Sequence, residues 1–513
     1  MMQTLLGIDL GTTGVKAALF AADDGRVLAD AFVDYPLFHP QPGWAEQNPA
    51  DWWQATTAAI RACLMTAAGL GVHASDVRGV GLSGQMHGVV LLDSENRVLR
   101  PCIIWADQRS DAQCRWITEK VGASKLIEYV SNPALTGFSA PKLLWIRDNE
   151  PQIYAQARLM LLPKDYIRFL LTGVAAMEIS DAAGTCLFDV RHGRWSQEVL
   201  QALDIDPALL PPVVPADAAS GSITPEVAEM TGLAAGTPVA GGGADNACGA
   251  VGNGIVSPGL ALVSVGTSGI VLAYADTPRV DTSGPVPRVH TFNHAVPNAW
   301  YLMGVTQGAG LSLRWVRDNI GLPERALERW TGIDAYDYLA KEAESVPPGC
   351  DGLIFLPYLQ GERTPHLDAY ARGGWIGLTA SHDRRYLVRS VMEGVAFSLK
   401  DCFAIIREQG LQLDQMRATG GGAKSPLWRQ IIADVLGVEL VLTNATEGPA
   451  FGAALLAGVA SGVYASVQEA CRQTVRVVER TEPDARPAAA YAHAYERYRM
   501  LYPALRPIIS RPA

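Results

Sequence analysis

Cysteine is sparse, and it follows no metal or disulfide pattern. The eight residues, at 63, 102, 114, 186, 248, 350, 402 and 471, include no C-x-x-C pair and no Cys/His ligand spacing. A zinc module and a disulfide framework are both excluded on that ground. Basic residues are also short: 42 Lys and Arg face 52 Asp and Glu, a formal charge of −10. Affinity for a nucleic-acid backbone rests on clustered cations, so no nucleic-acid partner is expected. An anionic substrate stays compatible with this balance, because backbone dipoles hold phosphate without net positive charge. Long apolar runs are missing, since nothing approaches the roughly eighteen residues of a membrane span. The opening MMQTLLGIDLGTTG reaches an acidic residue and glycines by position 9, unlike a secretory leader. A reduced, cytoplasmic setting with no membrane partner is the expectation. Disorder-prone composition is absent too, with 49% hydrophobic and 18% charged residues, the balance of a globular protein. At 513 residues the chain outgrows one hydrophobic core, so two large domains or three smaller ones are required.

The first forty residues read as strands divided by turns: TLLGIDL, then GTTG, then VKAALFAA, then DDG, then RVLADAFVDYPL. The period changes at NPADWWQATTAAIRACLMTAA. Asn48 suits an N-cap, Pro49 the first helical position, and Asp51 the negative first turn. Trp52, Ile60, Cys63 and Leu64 recur at helical spacing and predict a face packed on the strands. Strand-like VRGVGLSG and HGVVLLD follow, and the Pro/Ala-rich stretch 207–226 reads as loop. GTTG at 11–14 and GTSG at 266–269 each join two apolar strands half a chain apart. This echo predicts two mixed α/β domains with a related strand–turn–strand core, residues 1–246 and 247–513.

Several short motifs could carry chemistry. Gly79, Gly81 and Gly84 match G-x-G-x-x-G, but the strand-like QMHGVVLLD follows where a dinucleotide site needs a helix to open. A nicotinamide enzyme is not predicted. The two GT(T/S)G turns could aim several backbone N–H groups at a phosphate tail, or could be plain hairpin turns. Asp9, on the strand entering the first turn, is placed either to serve Mg²⁺ or as an ordinary strand-end polar residue. Asp245 stands among glycines in GGGADNACGAVGNG; it could accept a proton from an attacking hydroxyl or cap the next helix. Three glycines in TGGGAKSPLWRQIIADVLG lead into a helical pattern and would let a base and ribose approach closely, or only reverse the chain. Met86 and His87 could line a small polar pocket, with His87 donating to a sugar hydroxyl, or could be core residues. WADQR (105–109) and GERTP (361–365) are polar islands, either pocket lining or scaffolding.

The ordered series DLGTTG, GQMHG, GGGADN, VGTSG and TGGGAKS resembles the FGGY carbohydrate kinases over nearly the whole chain. They belong with actin, hexokinase and the heat-shock ATPases. GFSAPKLLW fits the family's first signature with Lys142 and Trp145 in place. The second lies near 373–394, where Tyr386 departs from a polar position at a helix start. The resemblance implies two ribonuclease H-like domains of mixed sheets flanked by helices, closing over a cleft, with ATP and Mg²⁺ as cofactors. It implies that Met86, His87, Asp245 and Asn246 hold the sugar and that Asp245 is the general base. Asp9, with Asp245, would serve the metal, and Thr12, Thr13, Gly266 and Thr267 the phosphates. Gly310, Gly421 and Gly422 would border the nucleoside. GQMHG, LLPKDYIRFLLTG and SDAAGT are most similar to the branch acting on xylulose, which makes D-xylulose the expected acceptor and gluconate the alternative. A homodimer is implied only by its frequency in the family. A nucleotide-switched structural or chaperone ATPase is the rival of another class.

Overall fold

The computed structural model describes residues 2–509, and its first elements follow the apolar pattern closely. Strands β1 (Thr4–Leu10), β2 (Gly14–Ala21) and β3 (Val27–Asp34) form an antiparallel meander. Helix α1 (Pro49–Ala68) packs across β2 and β3 through Trp52, Ala59, Ile60 and Cys63. Its N-terminus is closed by the Asn48 side chain, which accepts from the Ala50 N–H at 3.2 Å. Strand β4 (Val77–Gly84) then joins β1 in parallel. Far along the chain β5 (Ala219–Ser222), β6 (Pro238–Ala240) and β7 (Gly243–Ala244) complete the sheet in the order β5–β6–β4–β1–β2–β3, with β7 also beside β4. Strand β5 falls in the stretch read as loop. Its sequence ASGS carries no apolar alternation, and only its pairing with β6 makes it a strand. Of HGVVLLD only Val90–Leu92 is strand, and it pairs with Leu159–Leu161 outside the main sheet.

The second half repeats the plan. After helix α2 (Asp245–Gly252) come β8 (Gly259–Val265), β9 (Gly269–Ala275), β10 (His290–Asn293) and β11 (Trp300–Thr306). Helices α3 (Gly310–Asn319) and α4 (Arg384–Glu408) lead to β12 (Leu413–Thr419), α5 (Pro426–Leu436), β13 (Glu439–Thr443), α6 (Gly448–Ala460) and β14 (Val477–Thr481). The order is β10–β11–β9–β8–β12–β13–β14. Thus β11–β9–β8–β12–β13 copies β3–β2–β1–β4–β6 in order and direction. The GTTG and GTSG turns occupy the same place in the two copies, so the four-residue echo marks a repeated fold. The division expected after residue 246 runs through α2, behind its second residue. Tyr386 lies in the first turn of α4, where its hydroxyl donates to Asp351 at 2.8 Å. Among the described residues no helix is long and apolar enough to cross a membrane.

The halves meet backbone to backbone. Helix α6 lies on β1 and β4 and crosses α2. Gly7 and Gly81 are paired across β1 and β4. A methyl on Gly7 would overlap the Ala450 carbonyl, and one on Gly81 the Ala453 carbonyl. At Gly79 it would approach the Ala457 carbonyl to 2.7 Å. Positions 450, 453 and 457 share one helical face, and glycines two apart share one strand face. The same condition governs the helix crossing, where Gly452 abuts the Cys248 carbonyl and Gly252 the Gly448 carbonyl. Gly79 and Gly81 of GVGLSG therefore seat a helix, while Gly84 leaves room for the Lys164 side chain, which explains the fingerprint without a dinucleotide. Substituting Gly81→Ala should cost about 1–3 kcal/mol, the usual range for overpacking. Urea denaturation would show this as a lower midpoint at unchanged slope. A midpoint equal to the parent's would mean that the seam has room for a side chain.

Candidate active site

Strand β7 delivers Asp245 to the first position of α2, at the floor of the cleft. Both hydrogen bonds found for its carboxylate end on Oδ1. The Asn246 backbone N–H donates at 2.7 Å and the Asn246 side-chain amide at 2.9 Å. Oδ2 is thus left to the cleft. Asn246, expected on the sugar, turns its amide toward Asp245 and the Met86 sulfur. Asp9 lies near enough for its charge to act on Asp245. Burial, and then Asp9, push the Asp245 carboxyl up to about 7. Burial raises Asp9 to about 6 against the pull of Ser83 beside it on β4. The Asp9 Oδ1 atom is enclosed and lacks a hydrogen-bond partner among the described residues.

Above Asp245 a cavity of about 480 Å³ is lined by Met86, His87, Trp105, His290 and Arg363, with Asn246 and Thr267 at its edge. His87 takes a left-handed backbone, φ 73°. Its Nδ1 is 2.7 Å from the Gly184 carbonyl, which can only accept, so Nδ1 carries the proton. Burial and the nearby Lys142 charge push its pKa down to about 3, so the ring is neutral and Nε2 is an acceptor. The expected donation from His87 to a sugar hydroxyl is therefore reversed. His290 repeats the arrangement. Asn132 donates to the Thr291 carbonyl at 2.7 Å, which turns its oxygen toward His290 Nδ1 at 3.1 Å. Lys142 is buried and donates to the carbonyls of Thr136, Gly137 and Phe138, fixing the loop that forms one wall.

A second cavity of about 660 Å³ lies between β8, α3 and α5. Gly266, Thr267, Gly310, Gly421 and Gly422 all line it, with Arg314 and Tyr336. The first amides of α3 are taken by the turn, Gly310 N–H donating to the Gly266 carbonyl at 2.7 Å and Leu311 N–H to Thr267 at 3.1 Å. Arg314 donates to the Thr267 hydroxyl at 2.9 Å. Gly421 and Gly422 form a 3₁₀ turn that precedes α5, which Ser425 caps. Thr267 borders both cavities.

Nearly every residue singled out in the sequence converges here. Thr12 is tied to the first cavity through Trp105, whose indole N–H donates to its hydroxyl at 3.0 Å. Thr13 stands apart: it is exposed, lines neither cavity, and offers only its carbonyl to Tyr35 N–H at 3.3 Å. Trp105 and Arg363 come from the two polar islands. His290, Arg314 and Gln307 carried no local signal. Beneath the floor, buried Lys164 and Arg168 both donate to the Gly241 carbonyl, at 3.2 and 3.1 Å. The Ser180 hydroxyl accepts from Ala244 N–H at 2.9 Å and donates to Glu178 at 2.7 Å. These bonds fix the strand that carries Asp245.

Residues 4–252 match the N-terminal domain of the FGGY family of carbohydrate kinases, and residues 261–461 match its C-terminal domain. The chain is 41% identical over 456 residues to a xylulose kinase of Bacillus subtilis, covering 89% of this chain and 88% of that one. It is 40% identical over 455 residues to a xylulose kinase of Escherichia coli, covering 88% and 89%. The crystal structure of xylulose kinase from Rhodospirillum rubrum superposes with a TM-score of 0.89 at 31% identity, covering 99% and 100%. With both domains matched in order and both cavities built from the expected elements, the chain belongs to the FGGY family of carbohydrate kinases.

Proposed function

We propose that this kinase transfers the γ-phosphoryl group of ATP to O5 of D-xylulose, with Asp245 as general base. The observation that carries this reading is the shared wall at Thr267: a polyol-sized cavity floored by Asp245 meets a larger glycine-lined cavity at one turn. Relatives near 40% identity named xylulose kinase support the choice of sugar. So does the first cavity's chemistry. His87 and His290 present acceptor nitrogens to hydroxyl donors, while Arg363 and Gln307 offer N–H groups to a ketone oxygen.

Asp245 Oδ2 takes the proton of the attacking hydroxyl, and Asn246 holds Oδ1 so that the free oxygen faces the acceptor. A carboxyl raised to about 7 is well matched to proton transfer near neutral pH. The turns at 11–14 and 266–269 aim backbone amides at the phosphate tail, and Arg314 adds a cation beside Thr267. Asp9 and Asp245 fit a Mg²⁺ ion, because an unpartnered carboxylate oxygen and two mutually repelling carboxylates favour a cation. Among the described residues no three acidic, His or Cys side chains form a complete metal cage, as suits an ion held largely by phosphate and water. Bound there, Mg²⁺ would neutralise charge on the phosphates. Eight free cysteines fit the reducing interior of a cell.

An ADP-release assay across D-xylulose, gluconate, ribulose and glycerol should give the highest kcat/KM with D-xylulose. A clear preference for gluconate would replace the acceptor and leave the kinase intact. Asp245→Asn should lower kcat by at least about 10²-fold, the lower bound for losing a general base, while ATP still binds in calorimetry. Retained kcat would remove Asp245 from its role. In metal-free buffer the same substitution tests the raised pKa. An acid whose folded pKa exceeds its unfolded value destabilises the fold as pH rises between the two. Asp245→Asn should therefore melt above the parent at pH 8, and the gap should begin to shrink as pH falls below about 7 and vanish near 3.8, the ordinary value of the carboxyl. A pH-independent gap would contradict the burial argument.

A further inference from the structure

Two chains of hydrogen bonds run from the first cavity to the first phosphate turn. In one, Gln85, the residue before Met86 and His87, donates from Nε2 to Gln47 Oε1 at 2.7 Å. Gln47 Nε2 donates in turn to the Thr12 carbonyl at 2.7 Å. The Trp52 indole N–H donates to the same Gln47 oxygen at 3.2 Å. Two donors on one end and a carbonyl on the other fix the orientation of the Gln47 amide, since a flip would set donor against donor. All three side chains are buried. The second chain is Trp105, which lines the cavity and donates to the Thr12 hydroxyl at 3.0 Å. Gln85 is also bound through its backbone, its N–H donating to the Leu10 carbonyl at 2.8 Å just before the turn. Its Oε1 is buried with no partner among the described residues.

A buried amide with no freedom to rotate transmits displacement, because letting go of either partner would leave an unsatisfied polar group out of water. We infer that Gln47 is a positioning residue that couples the acceptor cavity to the phosphate turn, so that binding of the sugar tightens binding of the nucleotide. The inference rests on the proposal that the turn at 11–14 holds the phosphates. Sugar contact with Met86, His87 and Trp105 steadies both arms, and both arms end on Thr12. Linkage makes the effect reciprocal: nucleotide must raise sugar affinity by the same factor. The device fits the needs of a kinase, since a turn that grips the nucleotide more tightly when the acceptor is present limits transfer of the phosphoryl group to water.

The test is calorimetric binding of a non-hydrolysable ATP analogue with Mg²⁺, with and without saturating D-xylulose. The parent should show a coupling factor of at least about five, the lower end of ordinary site-to-site coupling. Gln47→Met keeps the volume and removes both hydrogen-bonding ends. It should bring the factor close to one while each ligand alone binds within about twofold of the parent, a split that general loosening of the fold does not produce. Trp105→Phe cuts the second arm at a partly exposed side chain, where folding is not at issue, and should reduce the factor as well. A parent factor of one, or an undiminished factor in both variants, overturns the inference. Gly11→Val tests the underlying reading separately: if analogue affinity is unchanged there, the turn does not hold phosphate, and the proposal for that turn fails first.

Discussion

Everything about this molecule follows from how closely helix α6 can approach the strands beneath it. The helix comes from the second half of the chain, yet it rests on the sheet of the first half through Gly7, Gly79 and Gly81. It also crosses α2 with glycine on both sides of the contact. Close backbone contact, with Phe20 against Phe451 beside it, and the pairing of β7 and β1 on either side of β4 set the distance between β1 and α2. Those two elements carry Asp9 and Asp245. A wider spacing would separate the carboxylates and admit water between them. At the observed spacing each is desolvated, and Asp9 adds to the rise at Asp245. Packing and chemistry are therefore one constraint.

That arrangement is unfavourable to the fold. Raised carboxyls are groups held away from the ionised state they prefer in water, and burial denies His87 and His290 the proton they would otherwise take up below about pH 6.5. The protein offsets this with a dense polar scaffold directly under the site. Lys164, Asp165, Arg168, Glu178 and Asp181 are all inaccessible to solvent and paired among themselves. Their bonds to Gly241 and, through Ser180, to Ala244 clamp the approach to Asp245. The same segment supplies the Gly184 carbonyl that fixes the His87 tautomer. One buried assembly thus orients Asp245 and one wall of the first cavity.

Much of this was legible in the sequence because it is local. Strand–turn–strand patterns, the Asn48 cap and the paired GT(T/S)G turns are written in neighbouring residues, and the repeated topology bears out the echo between them. Met86, His87 and Asp245 stood out through unusual company of glycine and polar residues, and they do share one cavity. What escaped was non-local. His290 lines the cavity only because β10 is carried there by its sheet, and Arg314 only because α3 abuts the second turn. Strand β5 exists through its partner alone. The polarity of His87 was misjudged because tautomer choice depends on a carbonyl 97 residues away. Thr13 has the right residue type in the right motif, but its side chain turns to solvent.

The left-handed backbone at His87 has a consequence for how such a pocket could diversify. Few side chains tolerate that conformation, and histidine, asparagine, aspartate and glycine are chief among them. Branched or bulky replacements would be refused by the main chain before any sugar met them. Drift toward a new acceptor is therefore channelled away from this wall and onto Trp105, Phe138 and Arg363, which sit in ordinary backbone on three separate loops. The wall built on His87 is the least free to change, and novelty has to arrive from the loops around it.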